Sequence, residues 1–266
     1  MGRISERFRV LHARGERALV PFVTAGDPDL ATTEAIVLAL AESGADLIEL
    51  GVPFSDPIAE GPTIQRASER ALRGKTSLRG VLGLVKDLRP KVELPLLLMG
   101  YANPFYAMGE ENFALAAAEV GVDGIIVVDL PPEEGSTLFA EVEKRGIDAV
   151  LLAAPTTTPA RREMLTRRTR GFLYYVSLTG VTGARAALAH GIHESVDAVR
   201  RVSQIPVCVG FGVSTPDQAR EIAEYADGVV VGSALVSRIA RASSREDAVD
   251  VAARFVAELK AGMRVR

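Results

Sequence analysis

The sequence predicts a (β/α)8 barrel, eight parallel strands each followed by a helix, closing into a single domain over residues 1–266 with its active site at the C-terminal ends of the strands. Three observations carry that reading. The chain has 266 residues, 48% hydrophobic and 24% charged, a globular balance in a length that barrels of this type fill as one domain. Short apolar runs rich in Val, Ile and Leu recur eight times. Stretches of helical periodicity lie between them, and strand–helix alternation throughout implies parallel strands with right-handed crossovers. A doubly wound open sheet is the alternative, but its G-x-G-x-x-G turn is missing after the first run.

The runs are residues 18–23, 47–51, 94–99, 124–129, 148–153, 172–177, 206–210 and 228–232. Each is too short for a helix, and most are continuous rather than alternating, as in strands buried on both faces. After the first run, residues 32–43 carry Ile36, Ala39 and Leu40 at helical spacing, and the Asp29-Leu-Ala-Thr segment supplies a start signal. Residues 113–120 are rich in Ala and Leu. Residues 136–145 place Leu138 and Val142 four apart, and 193–202 follow the same plan. Residues 216–225 do so too, behind Ser214-Thr-Pro-Asp, with Pro near the helix start. The five arginines of residues 161–170 are interrupted by Glu163, Met164 and Leu165 and read as a solvated helix face. The basic tail, 260–266, reads as frayed.

Several function classes fall away on composition. A net charge of −3 offers no basic footprint for nucleic acid. One cysteine cannot form an internal disulfide. No apolar run approaches the roughly 20 residues of a membrane span, and the polar start has no secretory h-region. The expectation is a cytoplasmic protein without nucleic-acid or membrane partners.

The chemistry is expected just after the strands. The second run leads into Glu49-Leu-Gly-Val-Pro-Phe-Ser-Asp-Pro-Ile-Ala-Glu-Gly-Pro, a long loop shaped by Pro53, Pro57, Pro62, Gly51 and Gly61 and carrying Glu49, Asp56 and Glu60. Glu49 is out of place in a buried strand. Period-2 alternation puts it on one face with Leu47, and Ile48 and Leu50 on the other. A carboxylate facing a desolvated barrel mouth has a raised pKa, which suits a group that gives and takes a proton near neutrality. The plainer alternative is a rim glutamate paired with an arginine.

Glycine-rich turns follow the sixth, seventh and eighth strands: Thr179-Gly-Val-Thr-Gly183, Gly210-Phe-Gly-Val-Ser214 and Gly232-Ser-Ala-Leu-Val236. Glycine lets backbone N–H groups approach an anion, and barrels often hold phosphate in the last loops. Tight strand-to-helix turns explain the same glycines without any ligand. His190, His193 and Glu194 lack a second cluster to complete a metal site, so no metal is expected. Cys208 reads as a buried, inert thiol. Tyr101, Tyr174 and Phe211 stand at strand ends, where they can line an apolar pocket. The residues alone therefore imply acid–base chemistry by carboxylates on a small phosphorylated substrate.

The segments Leu47-Ile-Glu-Leu-Gly-Val-Pro-Phe-Ser-Asp-Pro, Gly61-Pro-Thr-Ile-Gln65, Met99-Gly-Tyr-Ala-Asn-Pro, Val128-Asp-Leu-Pro, Thr179-Gly-Val-Thr-Gly-Ala and Gly210-Phe-Gly-Val-Ser resemble the tryptophan synthase α-subunit family, as does Pro21-Phe-Val-Thr-Ala-Gly-Asp-Pro. The resemblance spans nearly the whole chain. It implies retro-aldol cleavage of indole-3-glycerol phosphate to indole and glyceraldehyde 3-phosphate. It makes Glu49 the acid/base at the indole C3 and at the glycerol hydroxyl, and Glu60 the carboxylate that receives the indole N–H. It places phosphate on Gly183, Gly212, Gly232 and Ser233, and the indole against Phe22, Met99, Tyr101, Ile126, Tyr174 and Phe211. Thr182 falls in a mobile loop, and Pro53 and Asp56 at contacts with a β subunit in an α2β2 heterotetramer. Pyridoxal phosphate is expected only in that β partner, with no cofactor in this chain. The family has Asp where this chain has Glu60, one methylene longer. That departure leaves open a barrel kept as an activator of β, beside a free-standing lyase.

Overall fold

A computed structural model describes residues 2–176, 185–210 and 212–263, with the backbone alone for 185–191. The first half runs α1 (Arg3–Ala13), β1 (Ala18–Thr24), α2 (Leu30–Glu42), β2 (Ile48–Gly51), α3 (Pro62–Arg73), α4 (Leu78–Leu88), β3 (Leu96–Gly100), α5 (Ala102–Met108) and α6 (Glu110–Val120). The second half runs β4 (Gly124–Val127), α7 (Ser136–Lys144), β5 (Asp148–Ala153), α8 (Pro159–Arg168), β6 (Leu173–Val176), α9 (Arg185–Arg200), β7 (Val207–Gly210), α10 (Pro216–Tyr225), β8 (Gly228–Val231), α11 (Ser233–Ile239) and α12 (Arg245–Gly262). The strands are parallel and close in sequence order, β8 pairing back onto β1. This is the (β/α)8 barrel that the alternation predicts.

Alternation along each strand sorts the core into two layers. Val20, Leu47, Leu97, Ile126, Val150, Tyr174, Cys208 and Val230 form the interior cluster. Leu19, Ile48, Leu50, Leu98, Ile125, Leu151 and Val209 join the layer between strands and helices. Helix starts follow ordinary capping: Asp29 accepts from the Thr32 N–H before α2, and Thr215 from Gln218 before α10. Helix α1, not anticipated from the polar start, sends Ile4, Phe8 and Leu11 into the interior cluster and covers the N-terminal end of the barrel.

Aspartates fasten that end. Asp46, Asp123 and Asp227 each precede a strand and accept an N–H from the strand before, from Leu19 at 2.7 Å, Leu96 at 2.9 Å and Val207 at 2.9 Å. Arg7 and Lys260 complete the fully buried Asp46, tying α1 and α12 together. Asp148, the first residue of β5, donates its own N–H to the Asp123 carbonyl, while the Asp123 N–H donates to the Leu96 carbonyl. The Asp148 Oδ2 is buried without a partner among the described residues. Burial, and then the charge of Asp123, push the Asp148 carboxyl up to about 6, against the pull of Arg170.

A folded-state pKa above the unfolded one means that the stabilisation is present at low pH and lost as pH rises through about 6. Relative to wild type, Asp148→Asn should therefore gain stability between pH 4 and pH 7. Partial exposure of the group reduces the expected gain to about 1 kcal/mol. Denaturant unfolding at both pH values measures it, and a stability gap that does not change with pH contradicts the assignment.

Candidate active site

Strand β2 contributes a single charged side chain, Glu49, paired in register with Phe22 on one side and Leu97 on the other. It shares the inward face with Leu47, as alternation requires, and it is completely buried. Neither carboxylate oxygen has a hydrogen-bond partner among the described residues. The rim-glutamate reading, with its arginine partner, is thereby excluded. Burial drives the Glu49 carboxyl well above the ordinary carboxylate range, and the charge of Glu60 pushes the same way. An ionised, unpaired carboxylate is costly in such a place, which favours the neutral acid.

Beyond β2 the chain turns through its proline-rich loop before entering α3 at Gly61 and Pro62, Pro being well suited to the first helical position. The Glu60 N–H donates to the Pro57 carbonyl at 3.1 Å, closing a turn. The Ala59 N–H donates to the Tyr101 phenol oxygen at 2.9 Å, and the Gln65 amide donates to the Glu60 carbonyl at 2.9 Å. The Tyr101 ring in turn stacks on Phe54, with centroids 5.1 Å apart. Glu60 is half-buried at the head of this scaffold, and burial pushes its carboxyl up to about 6.

Glu60 lines a cavity of about 450 Å³ at the C-terminal ends of the strands, in the size range of small-molecule sites. Of the residues singled out in the sequence, Phe22, Met99, Tyr174, Gly212, Gly232 and Ser233 share that cavity with it. Ile126 lies in the interior cluster beneath, fully buried. Tyr101 lines a smaller neighbouring space together with Thr24, Pro57 and Glu60. The main cavity also takes in Gly210, which opens the glycine turn after β7, and Ile64, Val176 and Val230, which the sequence pattern did not single out. Val176 and Val230 keep the inward parity of Tyr174 on β6 and of Gly228 on β8, so alternation alone could have found them. Ile64 faces inward because the buried side of α3, with Ala67, Ser68 and Ala71, turns toward the barrel.

Two glycines at the cavity are there for steric reasons. A Cβ on Gly210 would sit 2.5 Å from the Tyr174 oxygen, so only glycine lets that ring fit. Gly212 has φ +48°, a backbone that side chains rarely adopt, and its open side has no atom within 4 Å of where a Cβ would stand. Burial holds the Tyr174 phenol well above its ordinary value, with further push from Glu49 and Glu60, so the pocket wall remains neutral.

Thr182, Gly183 and Phe211 lie outside the described residues. Pro53 is buried, whereas Asp56 is exposed on the rim and accepts from the Ser55 hydroxyl. His193 pairs with Asp197 at 3.4 Å on the surface of α9 and packs at a tilt against the Tyr225 ring. Among the described residues no group of His, Cys, Asp and Glu is arranged to hold a metal, and no helix is long and apolar enough to cross a membrane. Cys208 is fully buried in the barrel interior, where burial pushes its thiol well up.

A buried carboxyl on the inward face of β2, with a second carboxyl lining a pocket that ends in glycine turns, suits protonation of an apolar ring and offset of the positive charge that results. Comparison with known proteins finds relatives along the whole chain. A family model described as tryptophan synthase alpha chain matches residues 8–264. A tryptophan synthase alpha chain from Geobacter sp. (strain M21) is 54% identical over 99% of this chain and 98% of its own length. The solved tryptophan synthase subunit alpha from Legionella pneumophila str. Paris superposes with a TM-score of 0.92 at 38% identity, covering 99% of this chain and 98% of that one. A Mycobacterium tuberculosis tryptophan synthase structure gives 0.90 at 40% identity, over 100% of this chain and 99% of that one.

Proposed function

The chain belongs to the tryptophan synthase alpha chain family, and we propose that the reaction of this family is carried here by Glu49 and Glu60. The reaction is the lyase step that cleaves indole-3-glycerol phosphate to indole and glyceraldehyde 3-phosphate, with no cofactor in the α chain. Glu49 donates its proton to the indole C3, which makes the ring an electron sink. The bond from C3 to the glycerol carbon breaks, its electron pair returns to the ring, and the adjacent hydroxyl becomes the aldehyde. The hydroxyl proton passes to the Glu49 carboxylate and restores the acid. Glu60, ionised, accepts a hydrogen bond from the indole N–H and stabilises the positive charge that develops there.

The single observation that supports this best is the complete burial of Glu49 with both oxygens unpartnered among the described residues. Phosphate is assigned to Gly212, Gly232 and Ser233, which line one cavity, and by the family resemblance alone to Gly183. The indole is assigned to the walls made by Phe22, Met99 and Tyr174, over Ile126, with Tyr101 at the Glu60 side, and by the family resemblance alone to Phe211. Thr182 is assigned, by the family resemblance alone, to the loop that the family closes over its substrate.

The family works in a complex with a β subunit, and the same reading extends to an α2β2 heterotetramer, pyridoxal phosphate being held by β. Its support is the barrel-mouth loop, where Asp56 is exposed and Ile58 is 86% exposed beside the catalytic Glu60. Pro53 stiffens this loop from within. We also read the chain as one barrel domain at work in the cytoplasm, supported by a family match that runs from residue 8 to 264. No observation favours a free-standing lyase or a barrel kept only as an activator.

Indole release from indole-3-glycerol phosphate, measured with and without a cognate β subunit, tests the reading. Turnover by the chain alone and a rise on adding β are expected, with a matching shift in sedimentation. No turnover in either case overturns the catalytic reading. Turnover that β leaves unchanged, with no shift in sedimentation, overturns the partnership.

A further inference from the structure

Tyr101 stands at the end of β3 and is 4% exposed. It is placed differently from an ordinary pocket wall. Its oxygen accepts the Ala59 N–H at 2.9 Å, from a loop 42 residues earlier in the chain. Its ring stacks on Phe54, on the opposite limb of the same loop. One rigid side chain from a barrel strand therefore grips both arms of the segment that presents Glu60. Ala59 is itself exposed, so without the phenol its N–H would turn to water and the loop would lose its tie to the barrel.

We propose that Tyr101 is a positioning residue for Glu60, its phenol oxygen fixing through Ala59 how far the Glu60 carboxylate reaches into the cavity. This rests on the reading that Glu60 takes part in the cleavage. The reach matters here because the glutamate is one methylene, about 1.5 Å, longer than the aspartate of the family pattern. A misplacement near 1 Å can cost about 10²-fold in rate. Gln65 holds the Glu60 carbonyl from α3, so the backbone on both sides of the Cα is pinned and the longer side chain is measured from a fixed origin. Burial pushes the Tyr101 phenol up to about 12, so it is a neutral hydroxyl at every working pH.

Tyr101→Phe tests this, since it removes one oxygen and keeps the ring that stacks on Phe54. The assay is steady-state cleavage of indole-3-glycerol phosphate by the full chain with β saturating, in the wild type and in Glu60→Ala. The expected result is a kcat lower by about tenfold with KM within about twofold, and no further loss when Glu60 is already alanine. A wild-type kcat overturns the proposal. So does a rise in KM of equal size in both backgrounds, which is the signature of a substrate contact. Full activity in Glu60→Ala removes the reading of Glu60 and this one with it. An impaired Glu60→Ala beside an unimpaired Tyr101→Phe removes this one alone.

Discussion

Glu49→Gln is expected to keep the fold and the affinity for indole-3-glycerol phosphate and to lose about 10²-fold or more in cleavage. Glutamine matches glutamate in shape, and the buried site already favours a neutral side chain. Stability should therefore move by no more than about 1 kcal/mol. The chemistry has no such tolerance. An amide can neither deliver a proton to C3 nor take one from the glycerol hydroxyl, so both transfers of the cycle fail together. Steady-state turnover and equilibrium binding on one preparation measure the two halves of the statement. A variant that retains more than a third of wild-type turnover takes Glu49 out of the mechanism.

The second large effect belongs to Glu60. Glu60→Ala should lower kcat by about 10²-fold, because nothing else assigned to the indole N–H carries negative charge. Glu60→Asp should fall between alanine and wild type, since it keeps the charge but draws it back by about 1.5 Å from a loop built around the longer side chain. If Glu60→Asp were instead faster than wild type, the loop would not have adapted to glutamate. The pH dependence has a definite sign. Burial raises Glu60 to about 6, so the carboxylate is populated only above that pH, and kcat/KM should climb as pH rises through about 6. Glu60 and Glu49 influence one another, so the limb belongs to the pair. Glu60→Gln should abolish it, and an unchanged limb in that variant would assign it to another group.

Much of the barrel was legible because its signals are local. Leu47 and Glu49 alternate with Ile48 and Leu50, and that alone puts the carboxylate inside. The strand ends moved by a residue or two, as at β3, which begins at Leu96 rather than 94. Helices were legible where apolar spacing coincided with a capping residue, as at α10. They were lost where charge masked the spacing. In α1, Ile4, Phe8 and Leu11 follow a helical period, but five flanking residues between Arg3 and Arg9 are polar or charged. In α4, Val81, Leu82, Val85 and Leu88 carry the pattern behind Ser77, a start signal that the reading passed over.

The site divides in the same way. Parity places Phe22, Glu49 and Tyr174 on inward faces, and the glycines mark strand ends. The hold of Tyr101 on Ala59 was not legible, because it joins positions 42 residues apart through one hydroxyl. Nor was the burial of the Asp148 Oδ2 without a partner among the described residues.

The proposed cleavage requires Glu49 to meet its substrate as a neutral acid, kept so by burial and by the charge of a second carboxyl. That requirement is tested most directly by a carbon-13 NMR titration of the full chain carrying glutamate labelled at the side-chain carboxyl, with Glu49→Gln assigning the resonance. The Glu49 signal is expected to keep its protonated shift through pH 7 while the exposed glutamates have ionised. A Glu49 signal that titrates in the ordinary range of about 4 to 5 would contradict the requirement.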